Sequence, residues 1–481
     1  MKRFIALALT LLMIVALVGC GSKKREPIEL TLSTEDAEAI LAAAGVRLPD
    51  AENAPGANST VVWFGWSDPF QLYSEDDMPN TGFWTFKEKY NGKLQFDETT
   101  YQTHHDDLAM RISGGTPPDL IPGGSNATAI YPMNAIRGMI QPIDPYIDYD
   151  DPLWAPMKGF ADLFMLGSNH YQICITTKPS NVVVYNTRVI DEWGFADPAE
   201  LYYNDEWTWD VFQDMCMDFS DPDEDRYALD GYAYVGFPMA STGQHVIYHD
   251  PVTGYSSNLD SPEIERAMNL LTELCRNECT YREGSNLWAL RNSGTFGAGM
   301  KEGLCLFYVI GESFFEHSVE EVEAVWGAIS EGEIMFAPLP RDPMGDGVYY
   351  SESSFEDVKG ACGIVNGASN PEGAALLATC IRFRVVDPTV KAIDERNKRQ
   401  IYLWNDAMIE MSKECQEIAD RHPLVDPIGN LPTNLNNIAD RLCGNGIARN
   451  ASSTWAQLKE ENADSLDYYI QDLNAEIASY N

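Results

Sequence analysis

Short apolar runs alternating with helix-patterned stretches constrain this chain more than any other feature. Val61-Val62-Trp63-Phe64-Gly65-Trp66 reads as a buried strand that runs into a polar loop, Ser67-Asp68-Pro69. A helix pattern follows around Thr81 to Tyr90, then a strand at Lys93–Asp97, then a helix from Tyr101 to Ile112 stopped by Gly114-Gly115. Pro117-Pro118-Asp119-Leu120-Ile121 returns to a buried strand, and Gly123-Gly124-Ser125-Asn126 opens the next helix. Elements alternating at this spacing predict a parallel or mixed α/β sheet.

The pattern resumes further on. Tyr171–Thr176 and Val182–Tyr185 are strand-like and flank Lys178-Pro179-Ser180. Trp207 to Phe219 reads as a helix with Thr208 as N-cap and Asp210 well placed in its first turn. A helix covers Pro262 to Asn277, and Leu304 to Ile310 is a buried strand ending at Gly311. Ile334–Ala337 and Ala361–Val365 return to a sheet, and Asn370-Pro371 pairs an N-cap with proline at the first helical position. Beyond Pro371 the chain is mostly helical.

The N-terminus sets the compartment. Lys2 and Arg3 precede an apolar stretch, Phe4 to Val18, shorter than a membrane-spanning helix of ~20 residues. Leu17-Val18-Gly19-Cys20 resembles the lipobox of bacterial lipoproteins, which implies a signal peptide over 1–19 and lipidation of Cys20. Two or more acyl chains would hold the chain on the extracytoplasmic face of the cell membrane. Residues 20–58 read as a tether, with a short helix from Ser33 to Ala44 capped by Ser33 and Asp36 and stopped by Gly45.

A net charge of −40 excludes a nucleic-acid surface, which needs concentrated Lys and Arg. Nine cysteines follow Cys20, an odd number with no Cys-x-x-Cys pair, so small buried hydrophobes fit them better than a disulfide framework. Asp221-Pro222-Asp223-Glu224-Asp225-Arg226 and Asp230 suggest a calcium loop, but Arg226 stands where the loop needs glycine, and a solvated acidic turn fits better. No G-x-S-x-G, H-E-x-x-H or phosphate-binding loop occurs, and no cofactor or metal is expected. His104, His105, His245 and His249 read as surface histidines.

Five features, in order, carry a resemblance. They are Trp63 to Asp68, Ser113-Gly114-Gly115-Thr116-Pro117-Pro118-Asp119-Leu120, and Val183-Val184-Tyr185-Asn186 with Trp207-Thr208-Trp209-Asp210. Phe296-Gly297-Ala298-Gly299-Met300 then leads to Leu306–Gly311, and Ala337-Pro338-Leu339-Pro340 precedes Gly363-Ile364-Val365 and Asn370–Ala375. Together they resemble the family 1 extracellular solute-binding proteins, receptors of bacterial ABC importers, most of which take carbohydrates. The chain departs from that pattern at Tyr171–Thr176 and at Glu312-Ser313-Phe314-Phe315, where a tryptophan is common, and after about residue 390.

The resemblance implies a two-lobed periplasmic-binding-protein-like α/β fold, each lobe a central sheet flanked by helices and joined by hinge strands. Lobe one is expected over 59–178 plus 333–385, and lobe two over 182–330 plus 386–481. Ligands of such sheets sit beyond the carboxyl ends of strands. Trp66 and Asp68 follow the first strand and suit a saccharide, which offers C–H faces to rings and hydroxyls to carboxylates; a packed indole and a turn cap are equally open. Ser125 and Asn126 could donate to a ligand or cap a helix, Glu312 and Phe314 follow Gly311 where the family places contacts, and Tyr350 is a further candidate. Trp207 and Trp209 read as packing anchors. The expected function is a monomeric, lipid-anchored receptor that captures an oligosaccharide for ABC permease subunits, and not an enzyme. A surface carbohydrate-active hydrolase and a solute sensor signalling to a kinase are the alternatives.

Overall fold

The computed structural model describes residues 33–100, 102–123, 130–231, 233–281, 296–355, 360–426 and 431–480. Two sheets organise it. The first has the order Lys93–Glu98, Thr60–Gly65, Leu120–Gly123, Ala361–Ile364, Ile173–Cys174. Its first three strands run parallel, and Ala361–Ile364 is antiparallel to both neighbours. The second has the order Ile334–Ala337, Val182–Asn186, Cys305–Ile310, Tyr227–Asp230. The mixed α/β architecture expected from the alternating pattern is therefore present, as two sheets flanked by helices.

Strands of the second sheet read as unbroken apolar runs because both faces are covered. Every residue of Val182–Asn186 and of Cys305–Ile310 is buried. One cover is the helix Trp209–Phe219, whose Phe212, Met215, Cys216 and Phe219 recur at helical spacing and are all buried. Thr208 holds its N-cap position without a side-chain cap bond. Trp207 and Trp209 are packing anchors: the Trp207 indole donates to Pro338 O at 2.8 Å and the Trp209 indole to Ser241 Oγ at 3.0 Å.

On the first sheet the helices Gly82–Tyr90 and Pro371–Val386 lie against one another. Their closest approach is at Gly82, where a Cβ would come within 2.3 Å of the Ile381 backbone, so only glycine fits. Asn370 caps the second helix by accepting from Gly373 N, with Pro371 at the first helical position.

Three expectations about organisation are corrected. Ile334–Ala337, placed in lobe one, pairs antiparallel with Val182–Asn186 in the second sheet. The helix Pro388–Gln400, placed in lobe two, packs on the helices Thr34–Ala43 and Pro371–Val386 of the first lobe, while its Lys398 reaches Glu316 at 3.5 Å. The segment read as a spacer is docked from residue 33 onward. Its helix Thr34–Ala43 forms with Ser33 as cap, but Ala54 is buried, Tyr90 Oη donates to Pro49 O at 2.8 Å, and Asn58 N donates to Tyr90 O.

Among the described residues the chain passes between the lobes three times, between Cys174 and Val182, between Ala337 and Ala361, and between Gln400 and Asp406. The first two crossings bond to each other, Lys178–Pro179 pairing antiparallel with Ser353–Ser354. Among the described residues no helix is long and apolar enough to cross a membrane. Among the described residues the nine cysteines after Cys20 form no disulfide, and eight of them are buried.

Candidate functional site

Between the lobes lies a cavity of about 270 Å³. One wall comes from the first lobe, with Pro132, Leu163 and Phe164. The opposite wall comes from the second, with Gln244, His245, Ile247, Tyr248, His249 and Tyr255. Pro423 to Asp426 and Leu431 complete the lining.

The second wall is a hairpin, Ile247–Asp250 against Gly254–Ser257. Asp250 makes its turn by accepting from Val252 N at 2.9 Å and Thr253 N at 2.7 Å, and Gly254 adopts a φ of 83°. Cross-strand pairing then places His249 beside Tyr255, ring centroids 4.4 Å apart. On the other side Phe164 packs edge-on against Phe355, at 5.6 Å. The 423–426 stretch is held by a backbone bond from Ser353 N to Leu424 O at 2.7 Å.

Burial governs the ionisation here. It brings His245 and His249 down to about 4, so both imidazoles are neutral at ordinary pH. Burial, aided by the charge of Asp426, raises Glu352 well above the usual carboxylate range. Glu352 Oε1 lies 3.7 Å from His245 Nδ1. A lining of rings with a few polar groups and no strong nucleophile–base pair suits holding a solute, by stacking and hydrogen bonds.

The residues singled out from sequence fall elsewhere. Trp66 is half-buried and meets His104 edge-on at 5.3 Å. Asp68 caps the turn Pro69–Leu72, accepting from Phe70 N at 3.0 Å. Ser125 and Asn126 lie outside the described residues. Glu312 is buried, accepts from Ser412 Oγ at 2.9 Å and sits 3.9 Å from Lys398; burial raises its pKa against the pull of that lysine. Phe314 packs against Phe296 at 4.8 Å. Tyr350 lies just behind the cavity wall: its hydroxyl donates to Asp346 at 2.7 Å and its ring occupies the space a side chain on Gly243 would need.

Four histidines read as surface residues divide differently. His105 is exposed, His104 is buried, and His245 and His249 line the cavity. The signal that could have found the last two is the Asp250-Pro251-Val252-Thr253-Gly254 turn flanked by aromatic residues, a hairpin mark. In the acidic turn, Arg226 pairs with Asp221 at 3.0 Å and Asp230 accepts from Gly231 N at 2.7 Å, so both ends of the suspected calcium loop are engaged internally.

Two α/β lobes, linked by several chain crossings and enclosing a cavity walled by both, are the architecture of a hinged solute-capturing protein. The sequence profile of the bacterial extracellular solute-binding proteins matches residues 83–382, more than half of the chain. The chain belongs to that family, whose members work outside the cytoplasm. Similar folds include the sugar-binding protein MalE from the phytopathogen Xanthomonas citri, at 15% identity and a TM-score of 0.58, covering 86% of this chain and 98% of that one. An ABC substrate-binding protein from Listeria monocytogenes in complex with cycloalternan is similar at 15% identity and TM-score 0.56, covering 86% and 99%. The galacto-N-biose-/lacto-N-biose I-binding protein of Bifidobacterium longum is similar at 14% identity and TM-score 0.55, covering 85% and 97%. No curated protein matches the sequence.

Proposed function

We propose that this chain is a lipid-anchored receptor that captures an oligosaccharide between its lobes and delivers it, unaltered, to the permease of an ABC importer. The observation that carries the reading is the inter-lobe cavity, whose walls come from both lobes and present Phe164, Tyr248, His249 and Tyr255. Rings on two separately movable walls favour a ligand with apolar faces on both sides, as a pyranose has, and reward closure around it. The sugar complexes formed by the similarly folded proteins support the same substrate class. Cys20 carries the anchor, and the receptor acts as a monomer.

The test is a thermal-shift and calorimetric screen of the mature chain from residue 20 against mono- and oligosaccharides, with peptides as controls. A true ligand at a hundredfold excess over its Kd adds about 2.7 kcal/mol of stability. A shift with one glycan family, with the glycan recovered intact, supports the receptor. Cleavage of that glycan would turn the assignment to a hydrolase, and a shift with peptides alone would overturn the sugar.

A further inference from the structure

Beside the cavity the two lobes touch at a pair of points where one partner is a glycine and the other a proline. Gly167 N donates to Pro251 O at 3.1 Å, so the turn of a hairpin in one lobe meets the turn of a hairpin in the other. Gly159 faces Pro423 so closely that a Cβ added to it would lie 2.9 Å from Pro423 Cγ. Both glycines belong to the first lobe, and between them in sequence Leu163 and Phe164 line the cavity. Both prolines belong to the second lobe; Pro423 itself lines the facing wall, as do Tyr248 and His249 just before Pro251.

Each side of the contact is braced within its own lobe. Gly167 turns the short hairpin Met165–Leu166 and Asn169–His170 with a φ of 62°. The His170 ring bonds to Asp144 at 2.6 Å and to Asp162 at 3.0 Å, which fixes this hairpin to the helix Lys158–Asp162 that carries Gly159. In the second lobe the Asn474 side chain accepts from Tyr255 N and donates to Tyr255 O, both at 2.8 Å, and so pins the hairpin behind Pro251 to the helix Trp455–Tyr480. Pro423 follows the helix Asp406–Arg421, which packs on Ile334–Ala337 of the second sheet. Two braced units that meet through backbone and a proline ring halt a hinge rotation at a fixed angle, because close-packed surfaces do not deform continuously. A side chain at position 159 would halt it earlier.

We propose that Gly159 and Gly167 are the closure stops of this receptor: seated against Pro423 and Pro251, they set the angle at which the lobes come to rest around a solute. The inference rests on the receptor reading and adds to it the device that ends the closing motion.

The experiment compares a locked chain with a wedged one. A Cβ on Gly159 lies 3.8 Å from Pro423 Cβ, inside the range of about 3.5–4.5 Å that a disulfide requires, so Gly159→Cys with Pro423→Cys is the lock. The chain from residue 20, also carrying Cys20→Ser, is oxidised with copper phenanthroline, and peptide mass mapping assigns the bond. Gly159→Ile is the wedge: it puts a stiff β-branched side chain at the same point, on an exposed position of its helix. The bond between positions 159 and 423 should form, and small-angle X-ray scattering should give the locked chain a smaller radius of gyration than the wedged one. Failure of a folded double variant to cross-link, or equal radii, overturns the stops. The wedge should also weaken binding of any saccharide that shifts the unmodified chain, by ~10-fold or more, because it depopulates the closed state. Unchanged affinity overturns the stops as well, and this arm holds even where the double variant fails to fold. Cross-linking needs no solute, so its outcome is independent of the saccharide screen that judges the receptor reading.

Discussion

Asp119 and Asn370 stand 251 positions apart, yet the Asn370 backbone N donates to the Asp119 carboxylate at 2.9 Å. The same carboxylate, fully buried, accepts from Val62 N at 2.8 Å and Ser369 Oγ at 3.2 Å. One side chain thus ties the first strand, the third strand and the start of the Pro371–Val386 helix together. Asp119→Asn keeps the shape but turns an NH2 toward groups that are themselves donors. The expected loss is about 2–3 kcal/mol, read as a lower denaturation midpoint with an unchanged m-value. An unaltered midpoint would show that these donors are satisfied some other way.

Lys398 joins two lobes. It lies 3.5 Å from Glu316 and 3.9 Å from the buried Glu312. Lys398→Met should cost about 3 kcal/mol because Glu312 is left buried without its cation. Adding Glu312→Gln should restore much of that loss. A double-mutant cycle by chemical denaturation measures the coupling, and additive effects would contradict it.

The docked segment 33–58 is part of the fold. A chain beginning at residue 59 exposes Tyr90 and leaves its hydroxyl without Pro49, so it should be less stable than one beginning at residue 33 by about 2 kcal/mol. Limited proteolysis of the longer chain gives a second reading: cutting should stop near residue 33, and cleavage freely within 46–58 would refute the docking.

The sign of the pH dependence follows from His245. Burial puts its folded pKa at about 4, below its ordinary value near 6.5, so the unfolded chain binds the extra proton between those values. The contribution is fully present above pH 6.5 and is lost as pH falls toward 4. Glu352, raised by burial and by Asp426, acts in the opposite direction. Replacement by glutamine isolates the histidine: His245→Gln should flatten the fall in stability between pH 6.5 and 4 by about 2–3 kcal/mol. Parallel stability profiles for the two proteins would show that His245 does not stay neutral in the fold.

Local signals were the legible part of this fold. Asn370-Pro371 announces a helix start and Gly114-Gly115 a stop because caps and breakers act within a few residues. Sheet membership is different. Ile334–Ala337 is four apolar residues that would suit either sheet, and only long-range pairing with Val182–Asn186 assigns it. The site was hardest to read because its parts come from Phe164, His245–Tyr255 and Pro423–Asp426, segments that share no local pattern. Asp68 shows why single residues mislead: a carboxylate after a strand serves a turn as readily as a ligand.

Three separate crossings also govern what happens when the backbone is broken. A single protease cut in one of these crossings divides the chain into two fragments, but at least one of them still passes between the lobes, and the other stays packed against it. The lobes of this receptor therefore stay together through an insult that would part a protein hung on a single linker, and the damaged molecule keeps both walls of its cavity within reach of each other.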